Sequence, residues 1–232
     1  MNLISHNSQQ PNRWLIMMMF FVFPCCFVNA QKTSMVSIFN GRDLQGWTKY
    51  LQSQGVDKDP QGVITVENKA IHVSGQDFGY IATNKIYRDF HLSLEFKWGE
   101  KKFPPREKDK RDAGICFCVD SAANKIWPRS AECQIQEGDV GDLWLIGGVK
   151  AFVDGVQVGP KDYAQMKKKK DAEYKNGKWN RVEVIFEKGK FSFLVNGVLV
   201  NQGEDLSIKS GRILLQSEGA EVFYRKIKIK TL

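Results

Sequence analysis

The sequence predicts an all-β domain made of two packed antiparallel sheets or a closed barrel, and three observations carry that expectation. From Ser37 onward the chain runs as short apolar segments punctuated by Gly, Asn and Asp, and no long stretch keeps a helical period. About a dozen such segments are more than one open sheet holds in a domain of this length. Two turns are explicit: Glu187-Lys188-Gly189-Lys190 and Val195-Asn196-Gly197-Val198 place Gly or Asn-Gly between apolar strands, as positive φ angles in tight hairpins require.

Taken in order, the first thirty residues read as a secretory leader and the domain as residues 31–232. Arg13 precedes an apolar run over 14–28, and Val28-Asn29-Ala30 suits a cleavage site, so the mature chain would begin near Gln31. The competing membrane-helix reading meets a run shorter than the roughly twenty residues a bilayer needs, interrupted by Pro24. A lipid anchor on Cys25 or Cys26 is a third reading, with the bulky Phe23 and Pro24 standing against it. The protein is therefore expected to be exported, to the periplasm or the outside, with no stable span after cleavage.

Strands are expected over 63–67, 70–73, 79–83, 90–98, 114–119, 131–136, 142–146 and 151–153. After a lysine-rich interval they resume over 179–187, 190–195, 198–201, 212–217 and 222–230. No internal repeat suggests a propeller. Losing Arg13 with the leader lowers the net charge by one, from +8 to +7. Much of this basicity sits in two loop-like stretches, 101–111 and 167–170, which read as solvated faces; a nucleic-acid partner is not expected of an exported chain. Cys116, Cys118 and Cys133 remain after cleavage. Alternation places the first two on one face, and Cys133 either bridges one of them or all three stay buried thiols. Neither a zinc site nor a dense Asp/Asn calcium loop is visible, so no metal or other cofactor is expected.

Alternation also indicates which side chains leave the core. Over 90–98, Phe90, Leu92, Leu94, Phe96 and Trp98 share one face, leaving His91, Ser93, Glu95 and Lys97 on the other. Over 131–136, Ala131, Cys133 and Ile135 point inward, so Glu132, Gln134 and Gln136 are displayed together. Trp127 lies just before that strand. An aromatic ring beside carboxylate and amide groups is what a sugar needs: an apolar face to stack on and polar groups for its hydroxyls. A polar strand face is equally ordinary in a sheet that simply meets water. Trp47 and Trp179 read as core anchors, Trp144 is ambiguous, and His72 and His91 have no visible partner.

Five segments in order resemble a known family. Phe39-Asn40-Gly41-Arg42-Asp43-Leu44-Gln45-Gly46-Trp47 is similar to the "LFNGKDLSGW" opening of the 3-keto-disaccharide hydrolase-like domain. Leu94-Glu95-Phe96-Lys97-Trp98 resembles its Glu-Trp-Arg strand, Asp112-Ala113-Gly114-Ile115 its Asn-Ser-Gly-Ile segment and Glu132-Cys133-Gln134-Ile135 its Glu-Tyr-Gln-Ile strand. The ending, with Leu215-Gln216 and Tyr224-Arg225-Lys226-Ile227, resembles its closing hairpin. The resemblance implies a jelly-roll sandwich of the concanavalin A-like lectin and glucanase type. It also implies activity on glycosides whose sugar carries a 3-keto group, by hydrolysis or elimination. This chain departs from the pattern at Lys97, Asp112, Cys133 and Lys226.

On that basis Glu132 and Glu95 are the expected acid/base carboxylates, sharing one open groove. Lys97, Gln134 and Arg225 are candidates to stabilise an enolate oxygen. Asp112, Trp127, Gln216 and Glu218 complete the expected carbohydrate-binding set. A non-catalytic carbohydrate-binding module is the alternative, with Trp127 as stacking platform, and a plain scaffold or partner-binding domain is the third class. The sequence leaves the oligomeric state open.

Overall fold

A computed structural model describes residue 1, residues 34–121 and residues 124–232. The expected leader lies outside these, apart from Met1. Eighteen strands and no helix occur among the described residues. They are β1 (Val36–Ser37), β2 (Trp47–Leu51), β3 (Gly55–Val56), β4 (Ile64–Glu67), β5 (Ala70–Val73), β6 (Gly79–Thr83), β7 (Phe90–Lys102), β8 (Gly114–Val119) and β9 (Ser130–Gln134). Then follow β10 (Leu143–Ile146), β11 (Ala151–Val153), β12 (Val156–Val158), β13 (Tyr163–Met166), β14 (Asn180–Glu187), β15 (Lys190–Val195), β16 (Val198–Gly203), β17 (Arg212–Ser217) and β18 (Ala220–Thr231).

Two antiparallel sheets hold almost all of them. The first runs β16-β15-β14-β7-β18-β5-β4, with β1 also on β18; the second runs β13-β10-β9-β8-β17-β6-β2-β3. Strands distant in the chain alternate between the sheets, which is the jelly-roll pattern. Alternation buries one face of each sheet against the other. Phe90, Leu92, Leu94 and Phe96 of β7 meet Ile115 and Phe117 of β8 and Ala131 and Cys133 of β9 in one continuous core. Its centre is aromatic: Phe117 sits edge-on to Phe90 and Phe193, with ring centroids 6.2 and 6.0 Å apart.

Both expected hairpins form with two residues at positive φ, Lys188 and Gly189 in one, Asn196 and Gly197 in the other. That is the type I′ geometry whose twist matches the flanking strands. The lysine-rich interval proves more structured than its composition suggests, because β12 and β13 lie at its start and Lys167, Lys168 and Lys169 pair with Asp142, Asp171 and Asp154.

The shared face expected for Cys116 and Cys118 does not occur. Cys118 takes a φ of 51° within an irregularity of the β8–β17 ladder, so it turns into the main core beside Phe117. Cys116 stays on the opposite face with Tyr80, Ala82, Val119 and Leu214. Cys133 points into the core, so no two of these thiols face each other across β8 and β9, and all three are free and buried. Burial pushes each thiol up, Cys118 to about 12, which leaves them inert as nucleophiles.

Candidate active site

The face of the second sheet turned away from the core carries a cavity of about 360 Å³. Adjacent strands build its floor by alternation. Glu132 and Gln134 project from β9, Trp144 and Ile146 from β10, and Gln216 from β17, with Glu218 just beyond that strand's end. Trp144 is directly opposite Glu132 in the β9–β10 register. Tyr163, from edge strand β13, and Trp127, from the segment before β9, form one wall with their rings edge to face at 6.3 Å. Asp112 enters just ahead of β8, and Arg106 reaches in from the loop after β7.

Three buried carboxyl groups thus share one cavity with a single guanidinium. Arg106 Nη1 donates to Asp112 Oδ2 and lies 3.4 Å from Glu218 Oε2. Gln136 Nε2 also donates to Asp112 Oδ2, at 2.9 Å. Trp127 Nε1 donates to Glu218 Oε1, and Gln216 Nε2 lies 3.4 Å from Glu132 Oε2. Three buried polar atoms of the lining have no protein partner: Asp112 Oδ1, Trp144 Nε1 and Gln216 Oε1.

Crowding of like charge among buried groups separates the carboxyls electrostatically. Burial, then the charges of Glu218 and Asp112, push Glu132 well above the carboxylate range. Burial and Asp112 push Glu218 up to about 7, opposed by the Trp127 hydrogen bond and by Arg106. Burial also raises Asp112, against the pull of Arg106 and the Gln136 hydrogen bond. Carboxyls whose surroundings shift them apart in this way are the arrangement acid/base chemistry uses.

The structure brings together Glu132, Asp112, Trp127, Gln134, Gln216 and Glu218. It does not bring Glu95, Lys97 or Arg225 to them. Those three lie on the outer face of the first sheet, because β7 and β18 are neighbours there and Glu95 stands opposite Arg225. Glu95 accepts from Arg225 Nε at 2.7 Å and Lys226 Nζ at 2.9 Å. Burial raises its carboxyl, but the hydrogen bonds from Lys226 and Arg225 outweigh this and hold it below the usual range. The Arg225 guanidinium covers Trp179 at 3.8 Å, and Lys97 lies 5.2 Å from the rings of Trp179 and Phe223. The shared groove for Glu95 and Glu132 is therefore corrected: the two carboxylates belong to different sheets. Trp179 is no core anchor either, but half-buried beneath those cations. Both histidines find carboxylate partners on this same sheet, His72 with Glu67 and Glu221 and His91 with Glu183.

Arg106, Tyr163 and Ile146 escaped the sequence reading. Arg106 lies in the basic stretch 101–111, whose charges read as solvated, and Tyr163 in the lysine-rich interval. Alternation gave no signal for Tyr163, because the apolar pair Ala164 and Met166 lies on the opposite face of a strand only four residues long.

Comparison with protein families matches residues 34–230 to the 3-keto-alpha-glucoside-1,2-lyase-like domain. The chain belongs to this family. The resemblance read from the five segments is thereby shown. No curated protein matches the chain. Among solved structures, a candidate glycosyl hydrolase from Parabacteroides distasonis superposes with a TM-score of 0.60 at 19% identity, covering 85% of this chain and 94% of that one. The carbohydrate binding module CBM66 from Bacillus subtilis gives 0.56 at 12% identity, covering 81% and 97%. A Bacillus licheniformis beta-glucanase gives 0.54 at 9%, covering 87% and 100%. At such identities these likenesses establish the fold, a jelly-roll sandwich shared by catalytic and binding proteins.

Proposed function

We propose that this lyase-like domain cleaves the glycosidic bond of 3-keto-glucosides by elimination, with Glu218 as base and Glu132 as acid. The observation that carries the reading is the buried pair itself: two carboxyls of one aromatic-walled cavity, one pushed up to about 7 and the other well above the carboxylate range. A 3-keto group makes the hydrogen on C2 acidic. Ionised Glu218 takes that proton, and the electron pair passes onto the C3 oxygen, where Arg106 and the free Trp144 N–H are the available donors. The pair then returns to form the C1–C2 double bond as the C1–O bond breaks. Glu132 gives its proton to the departing oxygen, so the products are an unsaturated 3-keto sugar and a free alcohol.

Turnover of plain and 3-keto disaccharides in ¹⁸O-labelled water, followed by mass spectrometry, tests this. Only the oxidised sugar should be consumed, and its first product should carry no label; immediate label incorporation would mean direct hydrolysis instead. Glu132→Gln and Glu218→Gln should each lower kcat by about 10²–10⁴-fold. Full activity in either variant removes that residue from the mechanism.

The edge-to-face wall of Trp127 and Tyr163 also favours the second reading, a binding module that stacks a sugar without chemistry. Saturable binding without product would select it. Export is supported by the order of charge, apolar run and small residues over 1–30, and no helix among the described residues is long and apolar enough to cross a membrane. A mature protein whose mass begins near Gln31 is the expected outcome; an intact Met1 in the secreted fraction would contradict it.

A further inference from the structure

We propose that Gln216 is a positioning residue that parks the proton of Glu132, the two side chains closing a carboxylic acid–amide pair over Gly114. Three observations meet at this point. Gln216 Nε2 faces Glu132 Oε2 at 3.4 Å. Gln216 Oε1 is buried without a protein partner. A methyl group on Gly114 would overlap both Glu132 Oε1 and Gln216 Oε1, so these two oxygens converge on the space that the glycine leaves empty.

An ionised carboxylate has only acceptors, whereas a primary amide has one donor end and one acceptor end. Side by side, one end of the amide must then meet a carboxylate oxygen acceptor to acceptor, whichever way the amide is turned. In a buried site that contact is costly. A proton on Glu132 Oε1 removes the conflict: Nε2–H donates to Oε2 while Oε1–H donates to the amide oxygen, and the orphan acceptor is satisfied. The surroundings favour the same state. Burial and the negative charge of Glu218 and Asp112 outweigh the opposing hydrogen bonds of Gln216 and Cys116 to Glu132, and Arg106 is engaged by Asp112 and Glu218. Tyr224 lies within the electrostatic reach of these carboxyls as a neutral phenol.

Gly114 is central to this. It lies at ordinary β-strand φ, absent from the positive-φ glycines, so its requirement is space rather than conformation. Its neighbours in β9 and β17 supply the two partners: Gly114 stands opposite Gln134 and Cys116 opposite Glu132, while Cys116 also pairs with Leu214 on the other side. The strand without a side chain at this point lets the acid and the amide meet across it. That the stored proton then serves the leaving oxygen rests on the elimination reading above; the pair itself does not.

Infrared difference spectroscopy separates the two. Near neutral pH, the wild type minus Glu132→Gln spectrum should contain the C=O stretch of a hydrogen-bonded carboxylic acid that shifts in D₂O. Gln216→Met keeps the shape but removes the amide, and should move that band to the frequency of an acid without an acceptor. It should also lower kcat at least tenfold with KM within about twofold. A wild-type difference spectrum holding only carboxylate bands overturns the proposal, as does a band left unmoved in Gln216→Met. Should that variant not fold, the wild-type comparison decides alone. If the acid band behaves as expected while no 3-keto sugar turns over, the pair stands and the elimination reading fails.

Discussion

Glu218 shows how one residue can carry both function and cost. Its carboxyl sits at about 7 because burial and Asp112 disfavour the charge more than Trp127 and Arg106 support it. The folded state therefore binds a proton that the unfolded chain releases in the ordinary glutamate range. Stability contributed by that proton is present at acid pH and is lost as pH rises through about 7. Glu218→Gln, which cannot ionise, should stabilise the protein by on the order of 1–3 kcal/mol at pH 8 and by little near pH 4. Urea denaturation at the two pH values checks it; equal shifts at both would mean that the charge is not the cause. The same group sets the pH dependence of turnover. As base it must be ionised, so kcat/KM should rise as pH increases through about 7.

At the scale of elements, short apolar runs bounded by turn residues were the most legible, including β6 and β8, which are buried on both faces. β5, β6, β8, β11, β15 and β17 match their expected limits residue for residue, and β7 and β18 run longer because they go on pairing with each other, Ala220 opposite Lys102 and Thr231 opposite Phe90. Short strands in polar surroundings were not legible. β12 and β13 offer three or four residues each, too few for a period to stand out. The break at Cys118 was hidden as well, since a bulge inverts facing without changing composition. The β15–β16 turn was plain in the sequence, and the structure adds why Asn rather than Gly precedes Gly197. Asn196 Oδ1 accepts from Arg181 N at 2.8 Å, and its Nδ2 donates to Ala172 O at 2.7 Å and Asn180 Oδ1 at 2.8 Å. Gly197, at φ of 84°, has room for a methyl group but not the backbone freedom. Gly197→Ala should cost about 1 kcal/mol and Asn196→Ala about 1–3 kcal/mol, through the lost bonds. Neither touches the cavity, so turnover should persist in both; thermal melts beside activity assays measure the pair.

For the whole molecule the decisive fact is which sheet a strand joins. Alternation tells which side chains leave the core but says nothing about which of two outer faces they reach, and that is why Glu95 and Glu132 looked like partners. Six of the nine expected site residues meet in the cavity because β9, β17 and the approach to β8 join one sheet; Glu95, Lys97 and Arg225 meet on the other because β7 pairs with β18. Substituting Glu95 therefore separates a structural carboxylate from the reacting ones. Glu95→Gln removes the partner of Arg225 and Lys226 at a half-exposed surface, so it should lower stability by about 1 kcal/mol at neutral pH. Because the folded carboxyl lies below its usual range, this contribution exists above the unfolded-state value and is lost as pH falls through the folded one. The deficit of the variant should accordingly shrink on acidification, opposite in sign to the effect at Glu218. Its kcat/KM on a 3-keto-glucoside should stay within about twofold of wild type, well inside the loss expected for removing an acid or base. A hundredfold fall in Glu95→Gln, with the fold intact by circular dichroism, would tie the outer face of the first sheet to the reaction and displace the cavity as the site of chemistry.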